Sequence, residues 1–375
     1  MKLLVISCVI ALVFIGCGPK AANFYTQGMG ELNSYNCVAV DNFKKAADME
    51  FEKEGNWYPI YMMSLGQGRY YCNTFPDALK AFQTIDQFVV LRSERSGAVK
   101  AVEFLKSSSK REYELTEREE TLYHYYMGVL NYDMGNYSDA MIEFKKVDYI
   151  AEGVYSKLPL VALMRGLTYA KLGEIDNALV GFRKVMEQIP HSPIGYKLAI
   201  LTETNQTNID LYTRQLKDSC GVEYAKPGVD EMGVVTLIEC KGELNKKNTT
   251  LMLTYNELSS TATLLDPVQP DFNFGAFAGG ILKDIASKVM RDAAKNAAAS
   301  IIPGGGILAG LFFGGDEKDT RAWQTAPDYF LADVVNLKKN STYSIYAHNN
   351  ETGATRTLSY DVKEANIVAL NMICP

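Results

Sequence analysis

The chain has 375 residues, 47% of them hydrophobic, enough for two or three domains with cores of their own. A net charge of −6, a pI of about 5.4 and the lack of any long Lys/Arg run argue against nucleic acid or an anionic membrane surface as the main partner. The three histidines, His124, His191 and His348, lie far apart in the sequence, so a histidine-based metal site has nothing to build on and no cofactor is expected.

Met1-Lys2 is a short cationic start, and Leu3 to Ile15 is apolar apart from Ser7. That run falls short of the ~20 residues a spanning helix needs and fits the apolar core of a secretory leader. It ends in "FIGCG", with Gly16 directly before Cys17. This resembles the lipobox of bacterial lipoproteins, whose cysteine is acylated and becomes the first mature residue; Phe14 departs mildly from the usual Leu or Val. The competing reading is an ordinary secretory leader with a chance cysteine. The resemblance implies a signal peptide over 1–16, lipidation of Cys17 and a tether over 17–30. Gly18 stands where an Asp retains such proteins at the inner membrane, which implies the outer membrane, facing the periplasm. Acyl chains hold a protein to a bilayer at about 0.8 kcal/mol per buried CH₂, so no second anchor is needed.

Beyond Cys8 and Cys17 the chain keeps Cys37, Cys72, Cys220, Cys240 and Cys374. An oxidising compartment permits pairing, and the odd number leaves at least one unpaired or intermolecular. Cys220 with Cys240 is the preferred pair, because the two flank one strand-like region; buried free thiols are the alternative for all five.

Next comes an internal repeat. "RGLTYAKLGEIDNALVGFRKVMEQIP" carries Gly166, Tyr169, Gly173, Ala178, Phe182, Val185 and Pro190. "MGVLNYDMGNYSDAMIEFKKV" repeats the pattern with Gly128, Gly135, Tyr137, Ala140, Phe144 and Val147, and "LGQGRYYCNTFPDALKAFQTI" with Gly66, Phe75, Ala78, Phe82 and Ile85. "AVDNFKKA" keeps Ala39, Phe43 and Ala46. Small residues let two antiparallel helices approach, the aromatic is expected to plug the gap to the next repeat, and proline stops the helix. The pattern resembles the tetratricopeptide repeat over about residues 31–200. The 38 residues from Gly128 to Gly166 exceed the family's period, which predicts lengthened helices there. The resemblance implies a groove that takes a peptide or protein segment. Inward positions of the first helices include Ile60, Met63 and Leu163, and Tyr70, Tyr125, Tyr132 and Lys171 form the candidate partner-binding groove. The alternative packs these tyrosines between helices. "KREYELTEREE", with Glu119 and Glu120, reads as a solvated helix face.

After Ile200 the texture changes. "MGVVTLIECKG" and "TTLMLTYNEL" read as strands of one hairpin across "ELNKKN". "DYFLADVVNL", "STYSIYAHN", "ATRTLSYDV" and "ANIVALNMI" are further strand-like runs joined by turn residues. Six strands of this kind predict a small antiparallel sheet or sandwich. Between the two groups lies a Gly/Ala-rich insert over 275–315. Its segment Ile281 to Ile302 is amphipathic, and "GGGILAGLFFGG" after it is too short to cross a bilayer as a helix. A glycine-rich turn and helix of the C-terminal domain is expected there, with interfacial insertion or an oligomer contact as alternatives. The fold class is therefore α+β: an N-terminal all-α tetratricopeptide-like superhelix over 31–212, then a small antiparallel β domain over 213–375 with the α-helical insert.

"GVVTLIECKGELNKKNTTLMLTY", the insert and "DTRAWQTAPDYFLADVVNL" together resemble a bacterial family of tetratricopeptide-repeat outer-membrane lipoproteins. Asp319, Arg321, Trp323 and Pro327 match its Asp-x-Arg-x-Trp followed by Pro. Asp319 and Arg321 with Trp323 could form a packed ion pair with a stacked guanidinium; the plainer reading is that they lock the insert onto the sheet.

No Gly-x-Ser-x-Gly, Walker loop or HExxH occurs. Ser107-Ser108-Ser109-Lys110 matches Ser-x-x-Lys without the Ser-Asp-Asn and Lys-Thr-Gly that accompany it in serine acyltransfer enzymes. The expected function is a non-catalytic envelope scaffold whose partners are envelope proteins or peptide segments. Alternatives are an oligomerising secretion or envelope-assembly accessory using 275–315, and a cell-wall hydrolase of unrecognised type.

Overall fold

The structure, a computed structural model, describes residues 20–34, 36–52, 57–93, 113, 115–153, 158–240, 250–256, 258–266, 323–348, 355–362 and 367–373. The leader with Cys17, Asp319, Arg321, Cys374 and the insert 275–315 lie outside them. The fold is α+β. The helices are α1 (Ala21–Asn33), α2 (Val38–Phe51), α3 (Tyr58–Tyr71), α4 (Phe75–Ser93), α5 (Glu117–Asp133), α6 (Tyr137–Lys146), α7 (Pro159–Lys171), α8 (Ile175–Gln188), α9 (Ile194–Thr202) and α10 (Gln206–Cys220). The strands are β1 (Glu231–Cys240), β2 (Thr250–Tyr255), β3 (Leu258–Asp266), β4 (Tyr329–Lys338), β5 (Ser341–His348), β6 (Thr355–Val362) and β7 (Ile367–Ile373).

One contact recurs in four helix pairs. A glycine of the first helix faces a fully buried phenylalanine of the second: Gly28 with Phe43, Gly66 with Phe82, Gly128 with Phe144, and Gly166 with Phe182. A Cβ would stand 2.7 Å from the Phe43 ring at Gly28 and 2.5 Å from the Phe182 ring at Gly166, where no carbon fits. Ala39, Ala78, Ala140 and Ala178, four residues before each phenylalanine, are fully buried as well. The aromatic thus packs on the glycine of its own pair rather than plugging the gap to the next. Residues 21–30 of the stretch expected as a tether lie in α1 and supply Gly28.

Three of the turns inside these pairs share one ending. Asn73, Gly135 and Gly173 take left-handed φ of 58°, 81° and 78°. At each, the next residue's N–H returns to a carbonyl five residues back (Thr74 to Arg69, Asn136 to Asn131, Glu174 to Tyr169), the Schellman closure of a helix. The long spacing between Gly128 and Gly166 is taken up by a 3₁₀ helix, Val147–Gly153, and α6 is not lengthened.

Cys37, at the start of α2, is bonded to Cys72, at the end of α3. Closing a loop with a sequence separation of 35 stabilises a fold by roughly 3–4 kcal/mol in the chain-entropy account. The preferred pair Cys220–Cys240 does not form. Cys220 is a free, half-buried thiol pointing at the Pro190 carbonyl, and Cys240 is engaged in a disulfide without it. The two cysteines sit on different elements, at the end of α10 and the end of β1.

The chain falls into two compact units. One contains α1–α6 and residues 323–326; the other contains α7–α10 and the sheet. The expected boundary at 212/213 falls inside α10, the first strand begins at Glu231, and the two units divide between residues 156 and 157. The sheet has the order β6-β5-β2-β3-β4-β1-β7. All pairings are antiparallel except β1 with β7, which is parallel. The expected β1–β2 hairpin is absent: β1 pairs with β4 (Val235 with Val334), and β2 forms its hairpin with β3 through Asn256. β3, "LSSTATLLD", was not expected, because its Ser and Thr hide a strand whose Ala262 and Leu265 are buried. Val234, Ile238, Leu253, Leu331 and Ile345 share one core. On the other side α9, buried throughout, lies on β1 where Gly233 meets Leu201.

Gly128→Ala should drive its methyl into the Phe144 ring and destabilise the fold by about 1–3 kcal/mol, as overpacking does. Chemical denaturation reads this directly; an unchanged midpoint would mean that the ring is free to move aside.

Candidate functional site

Among the described residues, 323–326 is the segment of the strand-rich half that belongs to the unit of α1–α6. It is a turn closed by the Ala326 N–H donating to the Trp323 carbonyl at 3.1 Å. Trp323 is 3% exposed. Its main-chain N–H donates to Glu119 Oε1 at 2.6 Å, and its indole N–H to Thr325 Oγ1 at 2.7 Å. The Thr325 hydroxyl donates to Ser64 Oγ at 3.0 Å. Ser64 stands 3.3 Å from the Tyr25 hydroxyl, which also hydrogen-bonds the Gln324 backbone. The indole lies 5.6 Å from the Tyr126 ring and 6.1 Å from the Phe82 ring. Tyr25, Ser64 and the pair Glu119 and Tyr126 come from α1, α3 and α5, the first helices of three successive pairs.

Glu119 is the hub. Thr116 and Glu119 form a capping box at the start of α5, with Glu119 N–H donating to Thr116 Oγ1 at 3.2 Å and Thr116 N–H to Glu119 Oε2 at 2.9 Å. The same carboxylate accepts the Tyr113 hydroxyl and the Trp323 N–H. Sequence reading placed Glu119 on a solvated face; it is 6% exposed. The signal that could have found it is the Thr-x-x-Glu spacing, which puts the glutamate at the helix start and turned back on the chain. Burial pushes the Tyr25 hydroxyl pKa up, and the Glu119 charge adds to that, against the hydrogen bonds from Ser64 and the Gln324 backbone.

The expected groove does not form as drawn. Tyr70, Tyr125 and Tyr132 are 4%, 1% and 6% exposed and pack in the helical core, as do Ile60 and Met63. Tyr70 meets the rings of Tyr71, Phe75 and Tyr126, and Tyr132 meets Tyr137. Lys171 is half-buried at the end of α7 in the other unit, and burial lowers its pKa. Trp323 belongs to the unit of α1–α6, while Asp319, Arg321 and the insert expected beside it lie outside the described residues.

Two further polar clusters are buried. In the sheet unit Asp333, fully buried, accepts from Tyr255 at 3.1 Å, Ser260 at 3.0 Å and the Val334 N–H at 2.8 Å. Lys197 Nζ lies 3.5 Å from that carboxylate and donates to the Val334 carbonyl at 2.8 Å. Past Ala332 the β4 edge has lost its β3 partner, so Lys197 satisfies a carbonyl the ladder leaves open. Burial, then the Asp333 charge, pushes the Tyr255 hydroxyl well up. In the helical unit, Glu143 accepts from His124 at 2.9 Å and Lys146 at 2.8 Å. Burial raises its pKa, and those two partners more than reverse the effect. The acids of both clusters are buried, Lys146 reaches solvent, and each cluster ties elements together. Among the described residues no group of three or more His, Cys, Asp or Glu is placed to hold a metal ion, and no helix is long and apolar enough to cross a membrane.

No family model matches the chain, and no curated protein sequence matches it. Several solved structures of TPR proteins are similar to about half of it. MamA (residue 41 to the end) from Desulfovibrio magneticus RS-1 is 13% identical, with 54% of this chain and 94% of that chain covered and a TM-score of 0.39. A tetratricopeptide repeat protein from Parabacteroides merdae is 14% identical over 54% of this chain and 67% of that chain, at a TM-score of 0.38. YrrB, described as a TPR protein with an unusual peptide-binding site, is 14% identical over 53% and 86%, at a TM-score of 0.36.

Asp133, at the end of α5, has its pKa pushed up to about 7 by burial, against a hydrogen bond from Tyr70 that lowers it. An unfolded Asp releases its proton near pH ~4. Between those values the native state binds more protons, so the contribution of Asp133 to stability falls as pH rises. The Asp133→Asn variant should therefore gain stability relative to the parent between pH 5 and pH 8. Denaturant midpoints measured at both pH values check this; a constant difference would contradict it.

Proposed function

We propose that the protein is a non-catalytic scaffold, anchored by a lipid on Cys17 at the periplasmic face of an outer membrane, which holds protein segments against the first helices of its N-terminal helix pairs. One observation carries the reading. A short turn from far along the chain is held on that face by a buried tryptophan, a carboxylate, two hydroxyls and a main-chain contact. That is how a helical repeat surface holds a peptide: an aromatic anchor in an apolar pocket gives affinity, and a few placed polar groups fix orientation. The leader ending at Cys17 supports the anchor, and the Cys37–Cys72 bond fits an oxidising compartment.

Cys17→Ser should move the protein from the membrane pellet to the soluble fraction and abolish incorporation of labelled palmitate; retention in the pellet would remove the anchor from the account. In cells carrying the lipidated protein, chemical crosslinking should capture an envelope partner, and Glu119→Ala should reduce that capture severalfold. Undiminished capture would place partner binding elsewhere on the molecule.

A further inference from the structure

We propose that the Trp323 turn is exchanged between two copies of this chain, each copy's turn occupying the other's site on α1, α3, α4 and α5. The proposal rests on the reading of this face as one that binds a segment, and names a second copy as the occupant.

The site selects chemistry as well as shape. Glu119 takes a main-chain N–H, Ser64 takes the Thr325 hydroxyl, Tyr25 takes the Gln324 backbone, and Phe82 and Tyr126 flank the indole. An emptied site leaves a carboxylate and two hydroxyls in a buried setting without those partners, which is unfavourable until an occupant of the same chemistry arrives. Every copy of the chain carries one such occupant.

The turn is also detachable. Glu119 and Trp323 are separated by 204 residues. None of residues 323–326 belongs to the apolar core of the sheet unit, which begins again at Tyr329. Opening leaves the apolar core of the sheet intact and uncovers the Phe82 and Tyr126 rings, apolar surface that the same turn of a second copy would cover again. Exchange re-forms every bond in a second copy and closes as a two-fold dimer. Confinement of lipidated copies to one membrane raises their effective concentration for it.

The test uses the full chain in a Cys220→Ala background. Ser64 Oγ and Thr325 Oγ1 are 3.0 Å apart, so cysteines at the two positions are within reach of a disulfide when the turn is seated. The double variant Ser64→Cys/Thr325→Cys is the control and should lock. Two single variants, Ser64→Cys and Thr325→Cys, each with its own tag, are then co-expressed. Exchange predicts a covalent heterodimer carrying both tags on a non-reducing gel. The heterodimer should be lost when Trp323→Ala is added to the Thr325→Cys chain. A control that locks while the mixed single variants stay monomeric overturns exchange and leaves the scaffold reading standing. A folded control that fails to lock overturns the seating of the turn, and both readings with it.

Discussion

A phenylalanine ring lying on a glycine fixes each of the first four helix pairs, and the placing of their first helices depends on that contact. Gly28, Gly66, Gly128 and Gly166 leave room for Phe43, Phe82, Phe144 and Phe182, and no other residue type would. The close approach aligns the first helices, so that residues on α1, α3 and α5 become neighbours. Tyr25, Ser64 and Glu119 are isolated polar residues in sequence. Packing makes them one surface, and Phe82 shows how directly: it seats Gly66 and also stands against Trp323.

Glu119 links that scaffold to what it holds. A carboxylate this buried is unfavourable unless several donors meet it. Thr116, Tyr113 and Trp323 supply them. One side chain thereby starts α5 and orients the turn. The sheet unit solves a similar problem differently: Asp333, opposite Thr236 on a largely apolar face, is met by Tyr255, Ser260 and its own neighbour's N–H, while Lys197 covers the strand edge that β3 abandons. In each unit a buried acid marks where separate elements meet.

The repeat was legible because its cause is local. A glycine, and an alanine four residues before an aromatic, recur at spacings that helix geometry explains. Strand existence was legible for runs such as "MGVVTLIEC". Pairing was not, because β1 finds β4 and β7 across long stretches of chain while its sequence neighbour β2 goes to β3 and β5. Tyr70, Tyr125 and Tyr132 misled for a physical reason: a tyrosine facing the next helix and one facing a ligand share the same helical position, and burial alone separates them. Glu119 misled because charge was read ahead of its capping spacing. Trp323 stood out as a motif residue, but its place on the helices could not be read from a segment that lies among strands.

The account stands or falls on whether Trp323 is seated. The chain has two tryptophans, Trp57 and Trp323, so Trp57→Phe leaves Trp323 as the sole indole reporter. Its fluorescence in the folded full chain should be blue-shifted and shielded from iodide, and Glu119→Ala should shift it to the red. An emission maximum like that of tryptophan in water, freely quenched and indifferent to Glu119, would contradict the seating of the turn and the proposed binding face built on it.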